Sequence, residues 1–256
     1  MNHCPWTIKD VFVVFVYAVA LYFVISFWGA ALYFLAAFVT GHSRQAPGIY
    51  LHFVRQNSDF LTVLLFYGVL LAAVKIKIFN KYRISLLAYF VNREHLLRDI
   101  SLGVKTYLRF ILVFLSGIIL VVLAAKVWDI VFGGHALESV NLFFAATEIE
   151  NVTAQKRQVG LSGFLIVFLL GPFLEEIFFR GCLYRALRRR MNMLYAIVLS
   201  SFIFALMHGY FFLFFYVFLV GLVLAYLYEK TEALVAPLSF HMLNNLFVIF
   251  LFLLGF

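Results

Sequence analysis

The stretch LSGFLIVFLLGPFLEEIFFRGCLY, residues 161–184, decides how this chain is read. It is an apolar run of spanning length, since about 20 apolar residues cross the hydrocarbon of a bilayer. Yet Glu175 and Glu176 sit inside it, with Arg180 about one turn further on. A charged side chain at the centre of a membrane helix costs about 2.5–3.5 kcal/mol on insertion scales. Two adjacent glutamates there need a reason. Glu176 and Arg180 are four apart and share a helical face, so they can form an ion pair. Glu175 is turned about 100° away. It lacks that partner and can meet something across the bundle. Pro172 follows Gly171, which predicts that this helix kinks or restarts just before the glutamates.

The rest of the chain has the same solvent. Of 256 residues, 65% are hydrophobic and 12% charged, and 33 are phenylalanine. A soluble domain is nearer half apolar and a quarter charged. Further apolar stretches fall at 11–39, 59–79, 106–128, 193–208, 210–228 and 236–255. Only helices and closed barrels satisfy every backbone group in lipid. The runs are continuous rather than alternating, which excludes a barrel. The expected fold is all-α: a polytopic transmembrane helical bundle of about seven to eight spans. It forms a single membrane domain over 1–256, with no linker that would set off a soluble part. The run 11–39 is too long for a signal-peptide core and reads as a retained first span. Stretches 81–104 and 137–150 carry apolar residues at helical spacing, such as Leu86, Phe90, Leu97 and Ile100. They read as helices lying in the interface.

The formal net charge is +8. In this setting the basic residues are topological signals rather than a nucleic-acid surface, so no nucleic-acid partner is expected. The bilayer is the first partner, and a bacterial cell membrane the expected location. Lys75, Lys77, Lys81, Arg83, Arg93, Arg98 and Lys105 lie at the end of the second span and after it, and Arg185, Arg188, Arg189 and Arg190 follow the fourth. With seven spans both segments lie on one side, which the positive-inside rule makes cytoplasmic. Cys4 and Cys182 offer no disulfide framework or redox spacing. No convincing Gly-x-x-x-Gly face marks an oligomeric state.

Two histidines also stand in apolar runs. His208 follows Phe204 by four, and Asn245 follows His241 by four, with Asn244 nearly on the same face. A carboxylate and a neutral imidazole together can orient and deprotonate water. A second histidine and an amide can donate to a developing oxyanion. Such a set suffices for hydrolysis of an acyl bond without a Ser or Cys nucleophile. Taken singly, each feature has a plainer reading. A Glu–Arg pair is often helix glue, a histidine at a span end is often interfacial, and asparagines in spans usually bond between helices. Three such features on three spans of one chain argue for a site.

Glu175-Glu176-x-x-x-Arg180, Phe204-x-x-x-His208 and His241-x-x-x-Asn245, in that order, resemble the motifs of the CPBP family. That family comprises the CAAX prenyl endopeptidases and bacterial relatives linked to bacteriocin processing and self-immunity. Phe179-Arg180-Gly181 after the glutamates and Ala236-Pro237 before the last histidine fit as well. The resemblance covers about 160–250, the expected catalytic core. It implies a glutamate-dependent intramembrane endopeptidase acting on a membrane-associated, in some members lipidated, protein or peptide. Glu175 and His208 would activate water, and His241 and Asn245 would form the oxyanion hole. Glu176, Arg180, Phe204 and Asn244 would support them. No cofactor and no metal are implied.

Other readings are a non-catalytic scaffold or immunity protein, a metal-dependent membrane protease and a transporter. His-Glu-x-x-His is absent, and no inverted halves with broken helices are seen. One tension remains in the span edges. Glu175 counts toward the cytoplasmic half of its helix and His208 toward the outer end of the next. For them to meet, the fourth helix must restart at Gly171-Pro172 or the fifth must begin deeper.

Overall fold

A computed structural model of the chain describes residues 5–39, 65–83, 93–146, 166–209 and 213–254. These residues are helical and turn structure without a strand. Eight helices follow: α1 (Ile8–Val39), α2 (65–82), α3 (Leu96–Phe132), α4 (Ala136–Ala146), α5 (166–188), α6 (Met193–Met207), α7 (Phe214–Thr231) and α8 (Val235–Leu254). Helices α1, α3 and α7 are long and apolar enough to cross a membrane on their own, and α6 and most of α8 are shorter apolar helices. The chain is a multi-pass helical membrane bundle, as its composition requires.

Side-chain contacts give the helix directions. Lys81 near the end of α2 pairs with Asp10 at the start of α1 at 2.6 Å, so the two run antiparallel. Phe15 of α1 meets Phe178, and Trp6 donates from Nε1 to the Cys182 carbonyl at 3.0 Å, which sets α1 antiparallel to α5. At the end of α5, Arg188 and Tyr184 hold Glu229 of α7 at 3.0 and 2.7 Å. Gly103 and Tyr107 of α3 pack on Ala236 and Phe240 of α8. The basic residues after α2 and at the end of α5 therefore share one end of the bundle.

Small residues allow the closest crossings. A Cβ on Gly103 would lie 2.4 Å from the Ala236 carbonyl oxygen, and one on Gly221 would lie 3.0 Å from Ser201 Cβ. Such contacts let membrane helices approach backbone to backbone. The α5–α6 turn is set by Asn192, whose Oδ1 accepts from Tyr195 N–H at 3.0 Å as an N-cap. Gly209, at φ +70, follows α6 in the left-handed region that glycine adopts without strain.

Three expectations change. The fourth span does not restart at Gly171-Pro172. Leu170 stays helical at φ −72, ψ −44, and α5 runs through as alternating wide and regular turns: π over Ile166–Leu170, α over Gly171–Glu176, π over Ile177–Tyr184, α over Arg185–Arg188. Proline lacks an N–H and its ring crowds the preceding turn. The wide turn over Ile166–Leu170 precedes it without a break. Second, residues 96–104 do not lie apart as an interfacial helix but are the first turns of α3. The buried stripe of that longer helix runs through Asp99, Gly103, Tyr107 and Ile111, while Leu97 and Ile100, whose spacing suggested an interfacial helix, lie exposed on its outer side. The 137–150 stretch is helical as far as Ala146. Residues 84–92 and 147–150, and the starts of the second and fourth apolar runs, lie outside the described residues. Third, the depth conflict between Glu175 and His208 has a different solution. Helix α5 continues to Arg188, and α6 has 15 residues. At about 1.5 Å per residue α6 rises about 22 Å, less than the roughly 30 Å of bilayer hydrocarbon. Its end, where His208 sits, is level with the middle of α5.

Candidate active site

The site is built where α5, α6, α7 and α8 meet. The Glu175–Glu176 pair ends the regular Gly171–Glu176 segment, just before the wide turns of Ile177–Tyr184. π turns inside helices are rare and concentrate at functional sites.

Glu176 is fully buried and so is Arg180. Arg180 Nη1 donates to Glu176 Oε1 at 3.1 Å, while Nη2 donates to the Gly221 carbonyl on α7 at 3.2 Å. The guanidinium also lies 4.3 Å from the centroid of the Phe204 ring on α6. His241 of α8 adds a second bond to the same carboxylate, Nδ1 to Oε1 at 2.8 Å. One glutamate and one arginine thus tie four helices together. A buried ion pair is stable only when its remaining hydrogen-bonding capacity is used; the backbone and imidazole partners use part of it, and Glu176 Oε2 is left without a partner among the described residues.

Glu175 faces elsewhere. Its Oε2 lies 3.7 Å from Nε2 of His208 and 3.7 Å from Nε2 of His241. These separations exceed a direct hydrogen bond and suit a bridging water. Glu175 and His208 keep side-chain exposures of 15% and 25%, whereas His241 keeps 4%. The first two can be reached from outside; the third is locked in.

Both imidazoles are held from behind. His208 Nδ1 is 2.7 Å from the Phe204 carbonyl oxygen, which can only accept, so Nδ1 is the donor. In the neutral ring Nε2 then carries the lone pair and points toward Glu175. Phe204 is the hub of this arrangement, with its ring 4.4 Å from the His208 ring, 5.8 Å from that of His241 and 5.0 Å from Phe179. Asn244 is buried and its Oδ1 accepts from Tyr216 of α7 at 2.5 Å. Asn245 is half-buried on the next position of α8.

A cavity of 130 Å³ opens beside Glu175 and His208. Its walls are otherwise apolar except for Tyr67 of α2, which donates a hydrogen bond to Glu175 Oε1. Among the described residues, no three His, Cys, Asp or Glu side chains are arranged to hold a metal ion.

Residues 157–247 match the family model of the type II CAAX prenyl endopeptidase Rce1-like proteins. The stretch that carries the glutamates, histidines and asparagines is thus similar to a prenyl endopeptidase family. The chain also aligns over 85 residues, at 32% identity, with the protein named "Putative membrane peptidase YdiL" of Bacillus subtilis (strain 168). That alignment covers 33% of this chain and 35% of the relative, so the chain spans about a third of the length of the curated protein it matches. No solved structure matches the chain.

All eight residues singled out from the sequence fall within the matched residues 157–247. Glu175, Glu176, Arg180, Phe204, His208 and His241 form one contiguous set. The ion pair falls on Glu176 and the open carboxylate on Glu175, as the 100° offset between neighbours requires. Asn244 is drawn to Tyr216 rather than into that set. The sequence reading missed Tyr67 and Tyr216. Each is a tyrosine in an aromatic-rich apolar run, where nothing in spacing or composition distinguishes it from its neighbours.

Proposed function

We propose that this chain is a glutamate-dependent intramembrane endopeptidase, with residues 160–250 as the catalytic core of a single membrane domain. The observation that carries this reading is the placement of Glu175 Oε2 at 3.7 Å from the Nε2 atoms of two histidines on two other helices. The family that residues 157–247 match and the peptidase name of the relative point the same way.

In the proposed reaction one water sits between Glu175 and His208. It donates one hydrogen toward His208 Nε2 and yields the other to Glu175 as its oxygen attacks the peptide carbonyl carbon. The carbonyl oxygen becomes an oxyanion and accepts from His241 Nε2 and the Asn245 amide. The tetrahedral carbon then expels the amine, the C–N bond breaks, and the proton on Glu175 passes to the leaving nitrogen. For His241 to donate from Nε2 while Nδ1 donates to Glu176, its ring must carry both protons. A protonated His241 would also balance the buried charges: two carboxylates against Arg180 and His241. Glu176, Arg180, Phe204 and Asn244 hold this frame in place.

The substrate is a protein or peptide that reaches the site from the membrane. Cell membranes carrying wild-type protein should be compared with membranes carrying Glu175→Ala, by mapping new protein N- and C-termini. A cleavage that disappears with Glu175→Ala, and also with His208→Ala, supports the protease reading and names the substrate. Identical termini, with both variants present at normal levels, would replace it with a scaffold role. A cleavage lost after chelation and restored by zinc would replace it with a metalloprotease.

A further inference from the structure

The family match begins at residue 157, yet the Glu175 carboxylate takes a hydrogen bond from a side chain 108 positions earlier in the sequence. We propose that Tyr67 is a positioning residue of the site: by holding Oε1 of Glu175 it turns Oε2 toward His208 and His241, which makes α1 and α2 part of the catalytic machinery. This rests on the reading of Glu175 as the group that activates water.

The terminal torsion of a glutamate is broad and roughly two-fold, so an unheld carboxylate presents either oxygen in many orientations. At Glu175 the two oxygens have separate partners. The Tyr67 hydroxyl takes Oε1, and the two Nε2 atoms face Oε2. The bond lies on the wall of the 130 Å³ cavity, which Phe15, Phe66 and Leu70 share from α1 and α2. Few competing polar groups are near, and a hydrogen bond gains strength in apolar surroundings.

Tyr67 is itself well anchored. The Lys81–Asp10 pair at 2.6 Å and the Tyr82 hydroxyl on Asp10 at 3.0 Å join α2 to α1. The ring of Phe66, next to Tyr67, packs edge-on against Tyr22 of α1 at 6.1 Å. Helix α1 is fixed to α5 by Trp6 Nε1 on the Cys182 carbonyl and by Phe15 on Phe178. The path from Tyr67 back to Glu175 is therefore a closed ring of contacts through three helices. Loss of one hydrogen bond to a charged group commonly costs 10- to 100-fold.

The test uses the intact protein in detergent and the apolar carbodiimide DCCD, which labels carboxyl groups in their protonated form. Labelling of Glu175 is followed by peptide mass spectrometry at fixed neutral pH. Tyr67→Phe keeps the ring and removes only the donor, which favours the protonated carboxyl. It should label several-fold faster than wild type, while Tyr184→Phe, at the far end of α5, should match wild type. Site-specific 3-fluorotyrosine at position 67 keeps the hydroxyl and makes it a stronger donor, so labelling should slow. Wild-type labelling rates in both the Phe and fluorotyrosine proteins would overturn the proposal, and the fluorotyrosine protein alone decides it where Tyr67→Phe does not accumulate. This readout needs no substrate, so it stands or falls apart from the protease reading. On a substrate found by terminus mapping, Tyr67→Phe should lower kcat 10- to 100-fold with KM within two-fold. A change confined to KM would make Tyr67 a substrate contact instead and would also overturn the proposal.

Discussion

Two adjacent glutamates on α5 open on two different environments. Glu176 points to a sealed junction where arginine and imidazole share one of its oxygens and every neighbour is buried. Glu175 points to a cavity, and its neighbours are two histidines and a phenol. The first arrangement closes a carboxylate off from solvent. The second leaves one within reach of it. One residue of helical rotation separates a sealed carboxylate from one that borders a cavity, so charge alone does not tell which is which.

This contrast can be broken by substitution. The largest effect is expected from Glu175→Gln, which keeps the shape and removes the base. Cleavage should fall by about 10⁴-fold, the upper range for general acid–base groups, with thermal unfolding unchanged. If Glu175→Gln instead lowers stability and leaves cleavage intact, the two glutamates have the reverse roles. His208→Gln should lower cleavage by about 10²-fold, since Glu175 remains to take the proton. Arg180→Met acts on the other side of the contrast. It leaves Glu176 buried without its cation, and unfolding should shift by about 3–5 kcal/mol. The double variant Glu176→Gln with Arg180→Met should recover a large part of that loss. No recovery would mean that Arg180 acts mainly through Gly221 and the Phe204 ring. The smallest effect belongs to Arg188→Gln at the bundle end. Its pair with Glu229 is partly exposed and should change stability by less than about 1 kcal/mol.

Much of the fold was legible because lipid leaves few alternatives: continuous apolar runs become helices, and α1, α7 and α8 fall within a few residues of where hydropathy sets them. The site was legible from misplaced polarity. Glu175, Glu176, His208 and His241 are ionisable groups in a solvent that penalises them, and four-residue spacing ties His208 to Phe204 and Arg180 to Glu176. What could not be read has physical causes. Proline and glycine signal a break, but the wide turn before Pro172 carries the helix through, and such turns have no composition of their own. Helix α6 ends short of a full span, so counting residues from presumed membrane edges misplaced His208. Tyr67 and Tyr216 are ordinary in aromatic-rich membrane segments. Only packing shows that their hydroxyls, rather than their rings, matter to the site.

The shortness of α6 has one more consequence. A helix about 8 Å shorter than the hydrocarbon is mismatched to the bilayer, and lipids around a short span thin to meet it. That thinned patch surrounds the helix whose C-terminal cap is His208. Water then meets a shorter depth of hydrocarbon beside α6 than beside a full-length span. Under the proposed protease reading, the length of one helix bears on where the membrane lets in the reagent of hydrolysis.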